Sequence, residues 1–301
     1  MQLSRSHDPK RFLADATQLL SGDPFSTSVI ATNARRRAAT PEPGHEDDLW
    51  LIVTDAHGVV GVAMHTPPHN LFLSRMPQTA AQLLADELHQ TGRELPGVTG
   101  TSEAASTYAE RWAQLTGAGV TQLAAMRMYR LQTLKPPTGV RGVATLATDP
   151  PDTQLLVRWL QAFHEEALEG DPPQDWQALA QRRIAAGEVQ LWRAPQAGAN
   201  GGESDYDDET VSLAAVSAPA AGVARVGPVY TPPAHRRHGY GAAVTAAASA
   251  AALAAGAEHV VLYTDLANPT SNAIYQAIGY RPDHDAQQLA FITAPPKPFS
   301  H

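Results

Sequence analysis

The sequence predicts two α/β domains in tandem, and three observations predict it. The chain has 301 residues, which matches two domains of about 100–200 residues each better than one small core. A double proline, Lys135-Pro136-Pro137-Thr138-Gly139, follows the alternating run Met126–Leu134. Two prolines cannot continue a strand ladder, so the junction belongs there. On either side of it, helices and strands recur in the same order. The expected domains are therefore 1–134 and 140–301.

Each element has its own signal. Pro9–Ser21 is a helix, apolar at Phe12, Leu13, Ala16, Leu19 and Leu20, and Pro24–Arg37 is a second. Asp48–Thr54 and Val59–His65 are strands joined by the turn Asp55-Ala56-His57-Gly58, and Leu71–Ser74 is a candidate third. Pro77–Thr91 is a helix with Leu83, Leu84 and Leu88 inward, and Val98–Gly100 is a short strand. Ser102 caps a helix to about Thr116, ended by Gly117 and Gly119, and Val120–Leu134 is strand-like. In the second half, Val143–Ala147 is a strand, and Thr153–Leu168 and Trp176–Ala186 are helices. Val189–Arg193, Val211–Ala218 and Val223–Tyr230 are strands, followed by a helix over Tyr240–Ala255. His259–Asp265 is a strand, Pro269–Ile278 a helix, and Leu289–Thr293 the last strand. The halves share little residue identity, so the order alone suggests a duplicated fold.

Composition excludes several classes. The chain has no cysteine, so disulfides, thiolate metal sites and cysteine nucleophiles are all excluded. A net charge of −8 argues against general nucleic-acid binding, which needs a basic face. No apolar run reaches the length of a membrane span, and the polar start Met1–Lys10 does not read as a secretory signal. A cytoplasmic protein is expected, with no membrane or nucleic-acid partner, and a homodimer is an open expectation. No histidine spacing points to a metal; His164-Glu165-Glu166 lacks a second histidine at spacing four. Residues 1–134 carry about −2 and residues 135–301 about −6. Five acids, Glu203, Asp205, Asp207, Asp208 and Glu209, lie beside Gly198, Gly201 and Gly202 in what reads as a solvated loop between two strands.

The most informative segment runs from Val226 to Ala243. A strand ends at Pro232-Pro233, and a loop containing Arg236, Arg237, His238 and Gly239 opens into a helix at Tyr240, Gly241 and Ala242. A helix N-terminus offers free N–H donors and partial positive charge, which suits an anion. Gly239 and Gly241 leave the backbone open to approach. The loop is neither a Walker loop nor a dinucleotide fingerprint. Pro228 removes a ladder donor inside an apolar strand, predicting a bulge that leaves Val229, Tyr230 and Thr231 unpaired and able to take an extended amide ligand. Further on, Asn268-Pro269 reads as a helix start. Gly279 reads as its stop. Asn272 and Tyr275 share a face between them.

These two segments resemble the GCN5-related N-acetyltransferase (GNAT) family. Arg236-Arg237-His238-Gly239-Tyr240-Gly241 satisfies the family pattern Arg/Gln-x-x-Gly-x-Gly/Ala, and Asn268 to Tyr280 is similar to its second motif. The resemblance implies two acyl-CoA N-acyltransferase-like domains, each a mixed, mostly antiparallel sheet flanked by helices. It implies that acetyl-CoA is the acyl donor. Its pyrophosphate would lie on Arg236, Arg237, His238, Gly239, Tyr240, Gly241 and Ala242, and its pantetheine along Val229, Tyr230 and Thr231. Asn268, Asn272 and Tyr275 would contribute from the next helix. Tyr275 is implied beside the thioester sulfur, where it could protonate the departing thiolate. Glu165 is the candidate base for an amine attacking directly in a ternary complex, with Glu166, Glu188, His164, His235 and a water relay as alternatives. Ala234 stands where relatives often carry a polar or acidic residue, which removes a base from that position. The first domain reads Ser74-Arg75-Met76-Pro77-Gln78-Thr79-Ala80 at the corresponding loop, with no glycine pair, and is expected to be degenerate. The expected function is amine N-acetylation, and the alternative is a non-catalytic acyl-CoA-binding or regulatory protein. The acidic stretch favours a cationic acceptor, small molecule or peptide.

Overall fold

The computed structural model describes residues 1–40, 44–167, 174–195 and 208–292. In chain order its strands and helices are β1 (Gln2–Ser6), α1 (Pro9–Asp15), α2 (Thr17–Gly22), α3 (Ser28–Ala39), β2 (Leu49–Asp55), β3 (Gly58–His65), β4 (Leu71–Leu73), α4 (Gln78–Gln90), β5 (Gly97–Thr101), α5 (Ser102–Thr116) and β6 (Gly119–Leu131). They continue with β7 (Val143–Leu146), α6 (Thr153–Ala167), α7 (Trp176–Ala185), β8 (Val189–Pro195), β9 (Asp208–Val216), β10 (Val223–Tyr230), α8 (Tyr240–Ala254), β11 (His259–Asp265), α9 (Pro269–Ala277) and β12 (Tyr280–Ile292). The chain divides into two compact units. One is Met1–Arg127 with the described residues from His284 onward, and the other is Met128–Asp283.

In the first unit the sheet runs β1-β2-β3-β4-β5. Neighbouring strands from β1 to β4 pair antiparallel, and β4 pairs parallel with β5. Helices α4 and α5 bury Leu84, Leu88, Tyr108 and Trp112 against Leu51, Val53, Leu71, Leu73 and Val98. The end of β12 completes this sheet, pairing Ala286 to Ala290 with Thr101 to Gly97, and Leu289 enters the same core. The sequence placed the junction at Lys135–Gly139 and gave everything from 140 onward to the second domain. The chain instead passes between units within β6, and residues 284–292 return to the first one. Their apolar side chains, Leu289 and Phe291, find their core there.

In the second unit the order is β7-β8-β9-β10-β11, with the end of β6 beside β11. Strands β7 to β10 pair antiparallel with their neighbours, and β10 pairs parallel with β11. The two sheet faces carry separate cores. Ala224, Val226, Val260 and Leu262 meet Val244, Ala248 and Ala252 of α8. Leu191, Leu213, Ala215 and Tyr230 meet Leu156 and Leu160 of α6 and Ala180 and Ile184 of α7. The small residues of α8 let it lie close on the sheet, and its two buried hydroxyls are satisfied within the helix, Thr245 Oγ1 donating to the Gly241 carbonyl and Ser249 Oγ to that of Thr245.

Two strands depart from the sequence expectation. β1 was not foreseen because its side chains are mostly exposed and give no apolar alternation. β12 begins nine residues before Leu289. Its charges hid it: Arg127 holds Asp285 at 2.6 Å and Arg130 lies 3.8 Å from Asp283, so ion pairs between strands stand where apolar pairs would normally mark a sheet. Of the five acids read as a loop, Asp208 and Glu209 open β9. Glu203, Asp205 and Asp207, with the three neighbouring glycines, lie outside the described residues.

Candidate active site

The site is built where β10 leaves β11. The parallel register pairs Val223–Val226 with His259–Leu262 and ends there, four residues before β10 itself ends. On the other side β10 stays paired with β9, Val229 opposite Ala214 and Tyr230 opposite Leu213, but the register shifts between Val226 and Val229. That is the bulge the sequence placed at Gly227-Pro228. It frees the β11-facing backbone of Val229 and Tyr230 while β9 fixes its position. Buried Ser212 of β9 reinforces this, donating to the Tyr230 carbonyl at 3.0 Å. The Thr231 hydroxyl lies 2.8 Å from Ser212 Oγ, whose own proton goes to that carbonyl, so Thr231 donates to Ser212.

Past Thr231 the chain makes a single 3-10 turn, Pro233–His235, and enters α8. Arg237 (φ 68) and Gly239 (φ 81) both adopt left-handed backbone. In that conformation a non-glycine residue is strained, and a Cβ on Gly239 would also meet Val140 at 3.0 Å. Ala243 is the first residue of α8 whose amide finds a carbonyl, that of Gly239 at 3.0 Å. No side chain caps the helix. The six consecutive amides from Arg237 to Ala242 thus have no acceptor among the described residues. Six donors around two left-handed residues at a helix N-terminus make a backbone seat that suits an anion. A Cβ on Gly241 would approach Thr231 Oγ1 at 3.4 Å, so a side chain there would crowd the seat's floor.

The basic side chains divide their work. Arg237 is exposed and makes no ion pair among the described residues, so its charge is available. Arg236 is held by the protein: its Nε donates to the Thr231 carbonyl at 2.9 Å and Nη2 to Glu166 at 2.6 Å. His238 stacks on Tyr240, ring centroids 5.5 Å apart, with Nδ1 at 3.2 Å from the His235 carbonyl.

On α9, Asn268 caps the helix by accepting from the Ser271 amide at 3.0 Å. The Asn272 amide group donates to the carbonyls of Asp265 and Asn268 at 2.9 and 2.8 Å. Both asparagines, expected to touch the cofactor, hold the turn that aims α9. The buried Asn272 Oδ1 has no partner among the described residues. Tyr275 packs on the α8 side of the sheet, edge-on to Tyr280 at 6.2 Å, and its hydroxyl has no hydrogen-bond partner among the described residues. Burial pushes that hydroxyl up to about 12, so it is a neutral proton donor at neutral pH. Tyr280, whose hydroxyl lies 2.7 Å from Ser249, is pushed higher still by the same cause.

The candidate bases separate. Glu165 is exposed and accepts from Gln161 on its own helix at 2.9 Å. Its neighbour Glu166 is the acid that reaches β10, accepting from the Tyr230 hydroxyl at 3.1 Å as well as from Arg236. Burial, then that hydrogen bond, raises the Tyr230 hydroxyl above its ordinary value. His164 packs on Trp176 at 4.9 Å, His235 lies 3.4 Å from Glu209, and Glu188 lies 3.6 Å from Arg183. Sequence reasoning missed Ser212. Its signal was a lone hydroxyl in the apolar run Val211–Val216. Among the described residues no group of three or more His, Cys, Asp and Glu could hold a metal, and no helix is long and apolar enough to cross a membrane.

Comparison with known proteins agrees with this fold. Residues 206–289, which contain the bulged strand, the amide seat and α9, match the model of the FR47-like protein family. A GCN5-related N-acetyltransferase from Sphaerobacter thermophilus aligns over 97% of this chain and 96% of its own, at 16% identity and a TM-score of 0.59. A tandem GNAT protein from the clavulanic acid biosynthesis pathway, solved without acetyl-CoA, aligns over 99% of this chain and 100% of its own, at 13% identity and a TM-score of 0.54. This chain has a tandem GNAT fold. A GNAT-family acetyltransferase from Colwellia psychrerythraea covers it equally well, 98% of this chain and all of its own, at 13% identity and a TM-score of 0.54. No curated protein matches the sequence. The GNAT resemblance read from the two motifs is thus borne out at the level of fold, and the layout of two such domains with it.

Proposed function

We propose that the second unit is an acetyl-CoA-dependent N-acetyltransferase acting on an amine. The observation that carries this reading is the run of six acceptor-free amides from Arg237 to Ala242, opening directly beside the strand edge released at Val226. An anion seat in line with a free strand edge suits a ligand that is a pyrophosphate at one end and an extended amide chain at the other. The amides of 237–242 and the free Arg237 would hold the pyrophosphate of acetyl-CoA. The backbone of Val229 and Tyr230 would pair with pantetheine.

The chemistry is a direct transfer. The amine nitrogen bonds to the acyl carbon, the carbon–sulfur bond breaks, and the thiolate takes a proton. Strand amides freed at the bulge can donate to the carbonyl oxygen as charge develops on it. Tyr275, with an uncommitted neutral hydroxyl, is the proton donor for the departing sulfur. The amine must lose its proton before attack. Glu165, turned to its own helix, is poorly placed for this, and a water relay fits the open strand edge better. Holding both reactants in line supplies much of the rate. Free thiol release from acetyl-CoA against a panel of amines tests the reading. Transfer to at least one amine class supports it, and tight binding without turnover for any amine favours the non-catalytic alternative.

A further inference from the structure

Among the described residues of the second unit, Arg225 is a partly buried guanidinium that forms no ion pair. Arg225 lies in β10 two residues before Gly227, where the strand bulges. Its neighbours Ala224 and Val226 pack on α8, so Arg225 projects from the opposite face. Its rung on β11 is Val261, and Tyr263, two residues on, occupies the same face one rung nearer the bulge. Nη1 of Arg225 is buried without a hydrogen-bond partner, and among the described residues the side chain forms no ion pair. Nor is it paired by Glu188, the acid that influences it: Glu188 lies 3.6 Å from Arg183, and Arg183 itself leaves a buried Nε unpartnered. Burial, opposed by the influence of Tyr263 and Glu188, lowers the Arg225 pKa, yet an arginine stays protonated in any case.

A cation with a buried, unpartnered nitrogen is costly to a fold unless something anionic comes to it. If acetyl-CoA occupies the seat on the α8 side, a second substrate reaches the bulge from the other face, and Arg225 with Tyr263 lines that face. We infer that Arg225 recognises a carboxylate on the acceptor, making the substrate class a small amine that also bears an acid group, such as an amino acid. This rests on the proposed acyl transfer and sharpens it. It runs against the cationic acceptor expected from the acidic stretch, most of which lies outside the described residues. Arg225 acts here as a specificity residue. It takes no part in proton transfer.

The test uses pairs of ligands that differ only at the acid. Thermal melting of the full chain is measured with N-acetyl amino acids and with the matching carboxamides at equal ionic strength, for the wild-type chain, Arg225→Gln and Arg225→Lys. The acid member should raise the melting temperature of the wild type, with little effect from the amide. The difference should vanish in Arg225→Gln and be reduced in Arg225→Lys, which keeps the charge without the planar fork. In turnover, Arg225→Gln should raise KM for the free amino acid by about 30-fold or more while leaving affinity for acetyl-CoA unchanged. Equal response to acid and amide in the wild type overturns the inference without any variant being needed. Undiminished discrimination by Arg225→Gln overturns it too. Discrimination for the acid with no thiol release would sink the transfer reading and leave the carboxylate site standing.

Discussion

Strand β4 of the first unit and strand β10 of the second hold the same place in the order of elements, and each has one parallel neighbour. They are treated differently. β4 is paired with β5 to its last residue, Leu71 with Val98, Phe72 with Thr99 and Leu73 with Gly100. The fit is tight enough that a Cβ on Gly100 would come within 2.6 Å of the Leu73 carbonyl. β10 parts from β11 four residues early. The loops that follow diverge in the same sense. After β4, the Ser74 amide donates to Val62, the Arg75 amide to Ser26 Oγ, and Pro77 has no amide. The Arg75 side chain is taken by Asp23 at 3.1 Å, Met76 is buried, and Gln78 brings in the carboxylate of Glu103 at 3.3 Å. After β10, six amides in a row are left over. One fold therefore appears twice, once with its strand gap closed and its loop partly taken up by the protein's own groups, and once with the gap open and an unbroken run of six amides without acceptors.

That contrast can be broken or sharpened by substitution. Gly241→Phe fills the open seat, and acetyl-CoA affinity should fall by about 100-fold or more, equivalent to about 2.7 kcal/mol, by calorimetry. An unchanged affinity would mean the seat is not the binding site. Tyr275→Phe should lower kcat by about 100-fold with acetyl-CoA affinity intact. Because burial pushes the Tyr275 hydroxyl up to about 12, the rate should show no alkaline decline assignable to it below about pH 11. A Tyr275-dependent limb near neutrality would contradict the assignment. Glu166→Ala releases Arg236 from one of its two anchors. Both partners are 45% exposed, so stability should change by less than about 1 kcal/mol and acetyl-CoA affinity by less than about fivefold. A larger loss would make the clamp part of the seat. The smallest effect belongs to Arg75→Ala in the closed unit: under about 1 kcal/mol on stability by denaturant titration, and none on acetyl-CoA affinity.

The open site was largely legible in the sequence. Arg236 to Gly241 carried the loop, Pro228 announced the bulge, and Asn268-Pro269 marked the start of α9. Local signals of that kind act on their own backbone, and so survive in sequence. Less legible was what depends on partners far along the chain. Glu166 reaches Arg236 across 70 positions, and nothing in His164-Glu165-Glu166 says which acid turns to β10. Asn268 and Asn272 fitted a ligand-binding pattern; the Asn268 Oδ1 and the Asn272 amide group hold the turn, while the Asn272 Oδ1 keeps no partner among the described residues. In sequence Arg225 is one charged residue in an apolar strand, and its place beside the bulge and its unpartnered Nη1 come only from the folded structure. The extent of β12 was hidden because its pairing is carried by charges, as at Arg127 and Asp285.

The difference between the two units reduces to a number of sites. Titration of the full chain with acetyl-CoA should give one site per chain, lost in Gly241→Phe and unaltered in Arg75→Ala. Two sites per chain, or a single site that survives Gly241→Phe, would contradict the assignment of the open and closed units.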